Sequence, residues 1–247
     1  MISKRNSKFI NSLHIKKYRT QHRAFSIEGE KNIGEILNST LKIQQLFLTQ
    51  SAFDGVEGLV KDKNIEIEIC TVTELEKVSF FQSNNFGIAV VDQPEPQKLD
   101  LTEGKMYLAL ENVKDPGNLG TILRGADWYG ITDVICSKHC VDVFNPKVIA
   151  STMGSFIRVN VHYVELEEVL EQTKLPIYGA VLGGQNLHEI EKLPSGILIM
   201  GNESKGMSDE LKEKCDKLLM IPAFGGAESL NVAMATTVLL DNLKRLS

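Results

Sequence analysis

Three short stretches of the chain gather small, polar and ionisable residues densely enough to do chemistry. The first runs Glu111-Asn112-Val113-Lys114-Asp115-Pro116-Gly117-Asn118-Leu119-Gly120 and continues into Thr121-Ile122-Leu123-Arg124. Pro116 and Gly117 suit the opening turn of a helix, whose free N–H groups face the loop. On a helical rise Asn118, Thr121 and Arg124 are near-neighbours on one side, and the arginine offers a planar fork for phosphate or carboxylate. The second stretch is Met200-Gly201-Asn202-Glu203-Ser204-Lys205-Gly206-Met207, which places Asn202 and Glu203 directly beyond an apolar run. Its glycines tolerate positive φ and let a ligand approach the backbone. The third, Ile221-Pro222-Ala223-Phe224-Gly225-Gly226-Ala227-Glu228-Ser229-Leu230-Asn231-Val232-Ala233, ends in Ser229 and Asn231, both helix-opening types. Each alone also reads as an ordinary loop, turn or cap; three in one half of a chain are harder to dismiss. None is a P-loop, because Gly-x-x-x-x-Gly-Lys-Ser/Thr is absent. None of the five histidines (14, 22, 139, 162, 188) lies in them, so the usual general base is missing.

Loops of this kind act where they leave the carboxyl ends of parallel strands, and the flanking sequence supplies such strands. Apolar runs at 106–110, 133–136, 156–161, 177–182, 197–200 and 218–221 read as strands, and helical patterns fill 119–129, 166–173 and 208–215. Apolar strands alternating with helices imply an α/β fold with a mostly parallel sheet covered by helices on both faces. A long helix over 229–246, opened by Ser229, closes the chain. Before it, Asp92 to Gly104 contains Pro94 and Pro96 among polar residues and reads as an extended linker. Upstream, helical stretches at 32–41, 53–62 and 73–77 alternate with strands at 45–49, 66–70 and 86–91, giving a smaller α/β domain. The expected organisation is therefore a basic leader and small domain over 1–92, a linker over 93–103, and a larger domain over 104–247.

Composition narrows the functional classes. Hydrophobic residues are 43% and charged residues 24% of 247, ordinary for a globular chain. No apolar run approaches the ~18 residues of a membrane span, so no membrane role is expected. The net charge of −5 argues against a nucleic-acid partner only until its distribution is read. Residues 1–25 hold seven basic side chains (Lys4, Arg5, Lys8, Lys16, Lys17, Arg19 and Arg23) and no acidic one. A local patch of that kind can attract a polyanion whatever the total. The alternative is a solvated tail. Cysteines at 70, 136, 140 and 215 form no Cys-x-x-Cys pair and have no histidine at zinc spacing, so no metal site is expected and free thiols in a reducing cytoplasm are.

Taken in order, Asn118-x-Gly with Arg124 beyond it, then Gly201-Asn202-Glu203-x-x-Gly206, then Ile221-Pro222 and Glu228-Ser229-Leu230-Asn231-Val232 resemble the three signature motifs of the SpoU/TrmH branch of the SPOUT RNA methyltransferases. The resemblance covers 104–247. At the front, Lys16-Lys17-Tyr18-Arg19 followed by Phe25-Ser26-Ile27-Glu28-Gly29-Glu30 is similar to the RNA-binding domain that precedes this catalytic domain in many relatives. The resemblance implies methyl transfer from S-adenosylmethionine to a ribose 2′-hydroxyl, a deep trefoil knot holding the cofactor, a homodimer built on the knot domain, and no metal. It implies cofactor contacts at Leu182, Gly183, Gly201, Asn202, Ile221 and Leu230, and a catalytic set of Asn118, Arg124, Glu203, Ser229 and Asn231. It places Lys16, Lys17, Arg19 and Arg23 on the RNA, with ribosomal RNA favoured over transfer RNA. Ala223-Phe224 stands where many relatives carry methionine after Ile-Pro, and Ala150 where relatives often carry arginine. Trp128 and Tyr129, at the end of an apolar helix, are expected in core or dimer packing. The competing readings are a transfer-RNA enzyme, and a non-catalytic RNA-binding or ribosome-assembly factor of the same fold. A Rossmann-type enzyme is disfavoured because no Gly-x-Gly-x-x-Gly follows the first strand.

Overall fold

The computed structural model describes residues 1–246. The elements in chain order are α1 (Lys4–Ser12), α2 (Lys16–His22), β1 (Ala24–Glu28), α3 (Glu30–Leu37), β2 (Ile43–Leu48), α4 (Gln50–Val60), β3 (Glu66–Ile69), α5 (Val72–Glu76) and β4 (Gly87–Asp92). They continue with β5 (Tyr107–Leu110), α6 (Pro116–Trp128), β6 (Asp133–Ser137), α7 (Pro146–Thr152), β7 (Asn160–Val164), α8 (Leu166–Gln172), β8 (Ile177–Asn186), β9 (Ile197–Met200), α9 (Asp209–Glu213), β10 (Lys217–Met220) and α10 (Val232–Leu246). The described chain divides into two compact units, one of residues 1–95 and 142–157, the other of 96–141 and 158–246. One boundary between the units falls between Glu95 and Pro96. The grouping of 142–157 with the first unit was not anticipated, and neither was α7 within it.

The first unit is a four-stranded sheet in the order β1-β4-β2-β3, antiparallel except for the parallel β2–β3 pair. Phe25, Ile33, Leu46, Ala89 and Ile149 share one buried cluster, and Phe144 and Phe156 pack on the Phe25 ring. Ile149, on α7, completes this core, which is why the segment belongs here. The basic leader is not a tail. Ser3 caps α1 by accepting from the Asn6 N–H, and Ile10 and Leu13 are fully buried in a second cluster with Phe47 and Leu75.

Within that fold the seven basic residues part company. Lys16 and Lys17 are exposed. Arg23, also exposed, pairs with Glu95 at 2.9 Å. Arg19, expected on the RNA, is instead 2% exposed. Its guanidinium donates to Asp142 Oδ2 at 3.0 and 2.6 Å and to the Leu13 carbonyl at 2.8 Å. A buried charge must find such partners or shed its charge, and here the partner comes from the distant 142–157 segment.

The second unit is a six-stranded, wholly parallel sheet in the order β10-β8-β9-β5-β6-β7. Tyr107, Ala109, Ile135, Ile197 and Ile199 turn to a cluster with Leu166, Leu170 and Leu211. Leu108, Leu110, Val134 and Leu198 are fully buried on the other face, as a sheet covered on both sides requires. The strand expected at 156–161 lies at Asn160–Val164, because Ser155–Ile157 forms a 3-10 turn in the first unit. The last helix begins at Val232 and not at Ser229. Trp128 is not core: it is 83% exposed. Among the described residues no helix is long and apolar enough to cross a membrane.

One irregularity shapes the site. β8 pairs with β10 in a register that jumps from Leu218 opposite Gly179 to Leu219 opposite Gln185. Residues 180–184 of β8 thus have no partner on β10, which leaves Leu182 71% exposed. Gly184 permits this, since a Cβ there would lie 2.5 Å from the Leu218 carbonyl oxygen.

The ion pair in the first unit yields a test. Asp142→Ala leaves the Arg19 charge buried without its partner, and chemical denaturation is expected to show a loss of about 3–5 kcal/mol. A loss below about 1 kcal/mol would mean that Arg19 escapes to solvent.

Candidate active site

Because every strand of the second sheet runs the same way, the three polar loops leave it at one end. β5 and β9 are neighbours whose last residues, Leu110 and Met200, are paired, so the first two loops emerge side by side. The third follows β10.

The first loop turns sharply at Asn112, a non-glycine residue at φ 55, which asparagine tolerates better than most. Ser137, at the end of β6, holds that turn: its Oγ accepts from the Asn112 N–H at 2.9 Å. Asp115 then caps α6 by accepting from the Asn118 N–H at 2.8 Å, with Pro116 in the first helical turn. The second loop is closed by Asn202 and Gly206, which exchange backbone hydrogen bonds at 2.9–3.0 Å. Gly201 is required by that closure, since a Cβ would lie 2.2 Å from the Met207 nitrogen. The close approach at Gly201 is thus made by the loop's own backbone. In the third loop Asn231, not Ser229, caps the final helix by accepting from the Ala233 N–H at 2.9 Å.

Side chains then join the loops. Asn118 Nδ2 donates to Glu203 Oε1 at 3.1 Å, and Asn231 Nδ2 donates to Asn118 Oδ1 at 2.9 Å. Asn202 Nδ2 donates to Glu203 Oε2 at 3.1 Å and to the Asn112 carbonyl at 2.7 Å. The Asp115 N–H adds a longer contact to Glu203 Oε1 at 3.4 Å. Below them Glu111, 8% exposed, accepts from the Ser208 N–H at 2.9 Å. The Glu203 carboxylate therefore serves both neighbouring loops, and its oxygens are already engaged by N–H donors. That is the chemistry of a clamp more than of a free proton acceptor.

Beside the clamp opens a cleft of about 820 Å³. Leu182, Gly183, Gly201, Asn202, Ile221 and Leu230, six positions separated by up to 48 in the chain, all line it, together with Glu203 and Ser229. Its floor is apolar, with Leu219 and Leu239 each 1% exposed. Gly183 faces open space, because a Cβ there would meet no atom within 4 Å. Asn118 and Asn231 stand at the edge through their bonds to Glu203 and to each other. Arg124 is not on the cleft wall and takes no part in the clamp. It lies exposed on α6, about 9 Å of helical rise beyond Asn118. Among the described residues no group of His, Cys, Asp and Glu could hold a metal ion.

Sequence reasoning missed Glu111, Asn112, Asp115 and Ser137 as site residues, although three of them stand in the first motif. The available signal was an asparagine two residues beyond a buried strand, a residue type that tolerates a left-handed turn. A parallel α/β sheet whose strand-end loops are clamped beside an apolar-floored cleft has the form of a site for a compact, partly apolar ligand at the carboxyl ends of its strands. The chain belongs to the SpoU rRNA Methylase family, which matches residues 105–241, and the MRM3-like substrate binding domain matches residues 5–86. It is 34% identical over 239 residues to the 23S rRNA (guanosine(2553)-2'-O)-methyltransferase RlmP of Bacillus subtilis (strain 168), covering 94% of this chain and 93% of that one. It is 28% identical to the 23S rRNA (guanosine-2'-O-)-methyltransferase RlmB of Coxiella burnetii, over 89% of this chain and 95% of the relative. Among solved structures, an AdoMet-bound rRNA methyltransferase from Sinorhizobium meliloti superposes with a TM-score of 0.87 at 28% identity, over 99% of this chain and 97% of the other.

The clamp makes a prediction about loop order. Asn118→Ala removes the side-chain bonds to both Glu203 and Asn231, at about 1 kcal/mol each. Backbone amides of 202–206 and 231–234 are expected to exchange several-fold faster, with the sheet strands unchanged. Unaltered exchange in both segments would mean that the loops are held without the clamp.

Proposed function

We propose that this protein transfers a methyl group from S-adenosylmethionine to a ribose 2′-hydroxyl of ribosomal RNA. The observation that carries the reading is the convergence of Asn118, Asn202, Glu203 and Asn231 into one hydrogen-bonded clamp beside the cleft, in a chain of the SpoU rRNA methylase family. The RNA class follows the relatives named above, which act on 23S rRNA by name. The N-terminal match to a substrate-binding domain supports the same direction.

The cleft suits the cofactor on its own evidence. An apolar floor at Leu219, Ile221 and Leu239 fits a nucleoside, and the open face at Gly183 leaves room above it. When bound, S-adenosylmethionine supplies a sulfonium-activated methyl group. Leu182, Gly183, Gly201, Ile221 and Leu230 would hold it, and the clamp would fix the loops around it. The remaining demand is in-line positioning of a weak nucleophile, which needs order more than acid–base strength. Arg124 hardly deprotonates, so its part is to orient the 2′-oxygen or the adjacent phosphate. Its exposed place on α6, outside the cofactor cleft, supports that division of labour.

The finer architecture belongs to the same proposal: a trefoil-knotted second unit and a homodimer built on it. Support comes from Trp128 on α6 and Met234 on α10, 83% and 60% exposed on two helices that pack together. Sedimentation is expected to find the native chain as a dimer and Trp128→Glu shifted to monomer; a native monomer would refute this part.

For the reaction, Arg124→Ala is expected to lower the turnover rate at least 100-fold while leaving S-adenosylmethionine affinity within a few-fold, read by methyl incorporation and calorimetry. An equal loss of affinity would overturn the assignment. Mapping 2′-O-methyl sites in total RNA with and without the gene identifies the substrate: loss of a site in ribosomal RNA is expected. A lost transfer-RNA site would move the substrate class, and an unchanged map would favour a non-catalytic RNA-binding role.

A further inference from the structure

A pair of aromatic rings at the lip of the cleft is used by neither the clamp nor the apolar floor. Phe224 lies in the third loop and is 89% exposed, more than any other aromatic residue in the chain. His188 stacks against it, with ring centroids 6.3 Å apart and planes inclined by 24°. The rings meet because β8 and β10 are neighbouring parallel strands, and each is followed at the same end by one of the two residues. His188 is carried on an ordered turn, Leu187–Glu189. Its N–H donates to Asn186 Oδ1 at 3.1 Å, and Leu187 beneath it is fully buried. Phe224 thus has a ring on an ordered turn against it, while 89% of its own surface stays exposed. Placing a phenyl ring outward forgoes the burial that ordinarily decides where phenylalanine sits.

We propose that Phe224, backed by His188, is a stacking platform for a nucleobase of the RNA substrate beside the methylated ribose. The proposal rests on the methyltransferase reading above. Every nucleobase has a planar π-face, and an exposed aromatic side chain binds it without demanding a particular sequence. Phe224 stands on the same loop as Asn231, which donates to Asn118. Phe224 and the clamp residues Asn202 and Glu203 also line one cleft, so a base stacked there has its ribose on the clamp side, where the 2′-hydroxyl must be held in line. Phe224 lines the same cleft as Leu219 and Leu239, but it is 89% exposed where each of those is 1% exposed, so its free face is offered to an RNA base more than to the cofactor's adenine.

The experiment compares wild type, Phe224→Ala, Phe224→Tyr, Phe224→Trp and His188→Ala. The probe is an unmodified 23S rRNA transcript, assayed for methyl incorporation and, separately, for equilibrium binding; S-adenosylmethionine affinity is measured by calorimetry. Phe224→Ala is expected to raise KM and Kd for RNA about tenfold or more, in keeping with the loss of one stacked base, and to leave cofactor affinity within twofold. Tyrosine and tryptophan retain the native values, and His188→Ala gives a smaller effect of the same kind. RNA affinity and KM unchanged in Phe224→Ala overturn the proposal. So does loss of cofactor affinity with RNA binding intact, which would assign the ring to the cofactor's adenine. If the wild type binds the transcript without methylating it, the methyltransferase reading fails for that RNA, and the binding arm alone decides the platform. If it binds no RNA at all, both fall.

Discussion

The Glu203 carboxylate is the constraint on which the rest of the site depends. One oxygen receives Asn118 and the Asp115 backbone, and the other receives Asn202, so a single anionic group holds loops from two strands. Asn118 passes the restraint to the third loop through Asn231. Polar surface loops otherwise gain little from one another, and ordering each costs conformational entropy. The parallel sheet brings the loops to one end, but charge-assisted hydrogen bonds decide that they stay together. The same bonds occupy Glu203, which shifts the chemical interest toward positioning.

The cleft beside the clamp comes from an interruption in the sheet. Where the β8–β10 register jumps, the backbone between Gly179 and Gln185 leaves its ladder and opens a pocket with an apolar floor. Gly184 allows Leu218 to pass close by, while Gly183 faces the opening. Two adjacent glycines therefore do opposite things, one accommodating protein and the other leaving space. A polar rim over an apolar floor is what a nucleoside-bearing ligand requires, and the aromatic pair at its lip extends that character outward.

Charge follows the division into units. The chain is net acidic, yet its first 25 residues carry only basic charge, and most of those side chains reach solvent. Arg19 is the exception, taken into the interior by Asp142. The basic surface is therefore carried on two helices, α1 held by buried Ile10 and α2 by buried Arg19, and not on a loose leader.

The sequence by itself determined the parallel α/β class, because apolar runs such as Ile197–Met200 have the length and β-branched content of strands buried on both faces. Residue type and position after a strand marked the three polar loops, while Leu182, Gly183, Gly201, Asn202, Ile221 and Leu230, which line the cleft, were named through the family resemblance of those loops. The helices α1 and α2 were not legible in the first 23 residues, because α1 buries only Ile10 and α2 only Arg19, too little apolar pattern to stand out from a basic tail. α7 and the fate of Arg19 were invisible for a different reason: Asp142 is 123 residues from Arg19. The clamp joins residues 85 and 113 apart, and no local pattern encodes which partner a polar side chain will meet across such a distance. Only the tertiary structure decided those pairings, because a hydrogen bond needs its two ends within about 3 Å, and the sheet alone sets where loops so distant in sequence emerge.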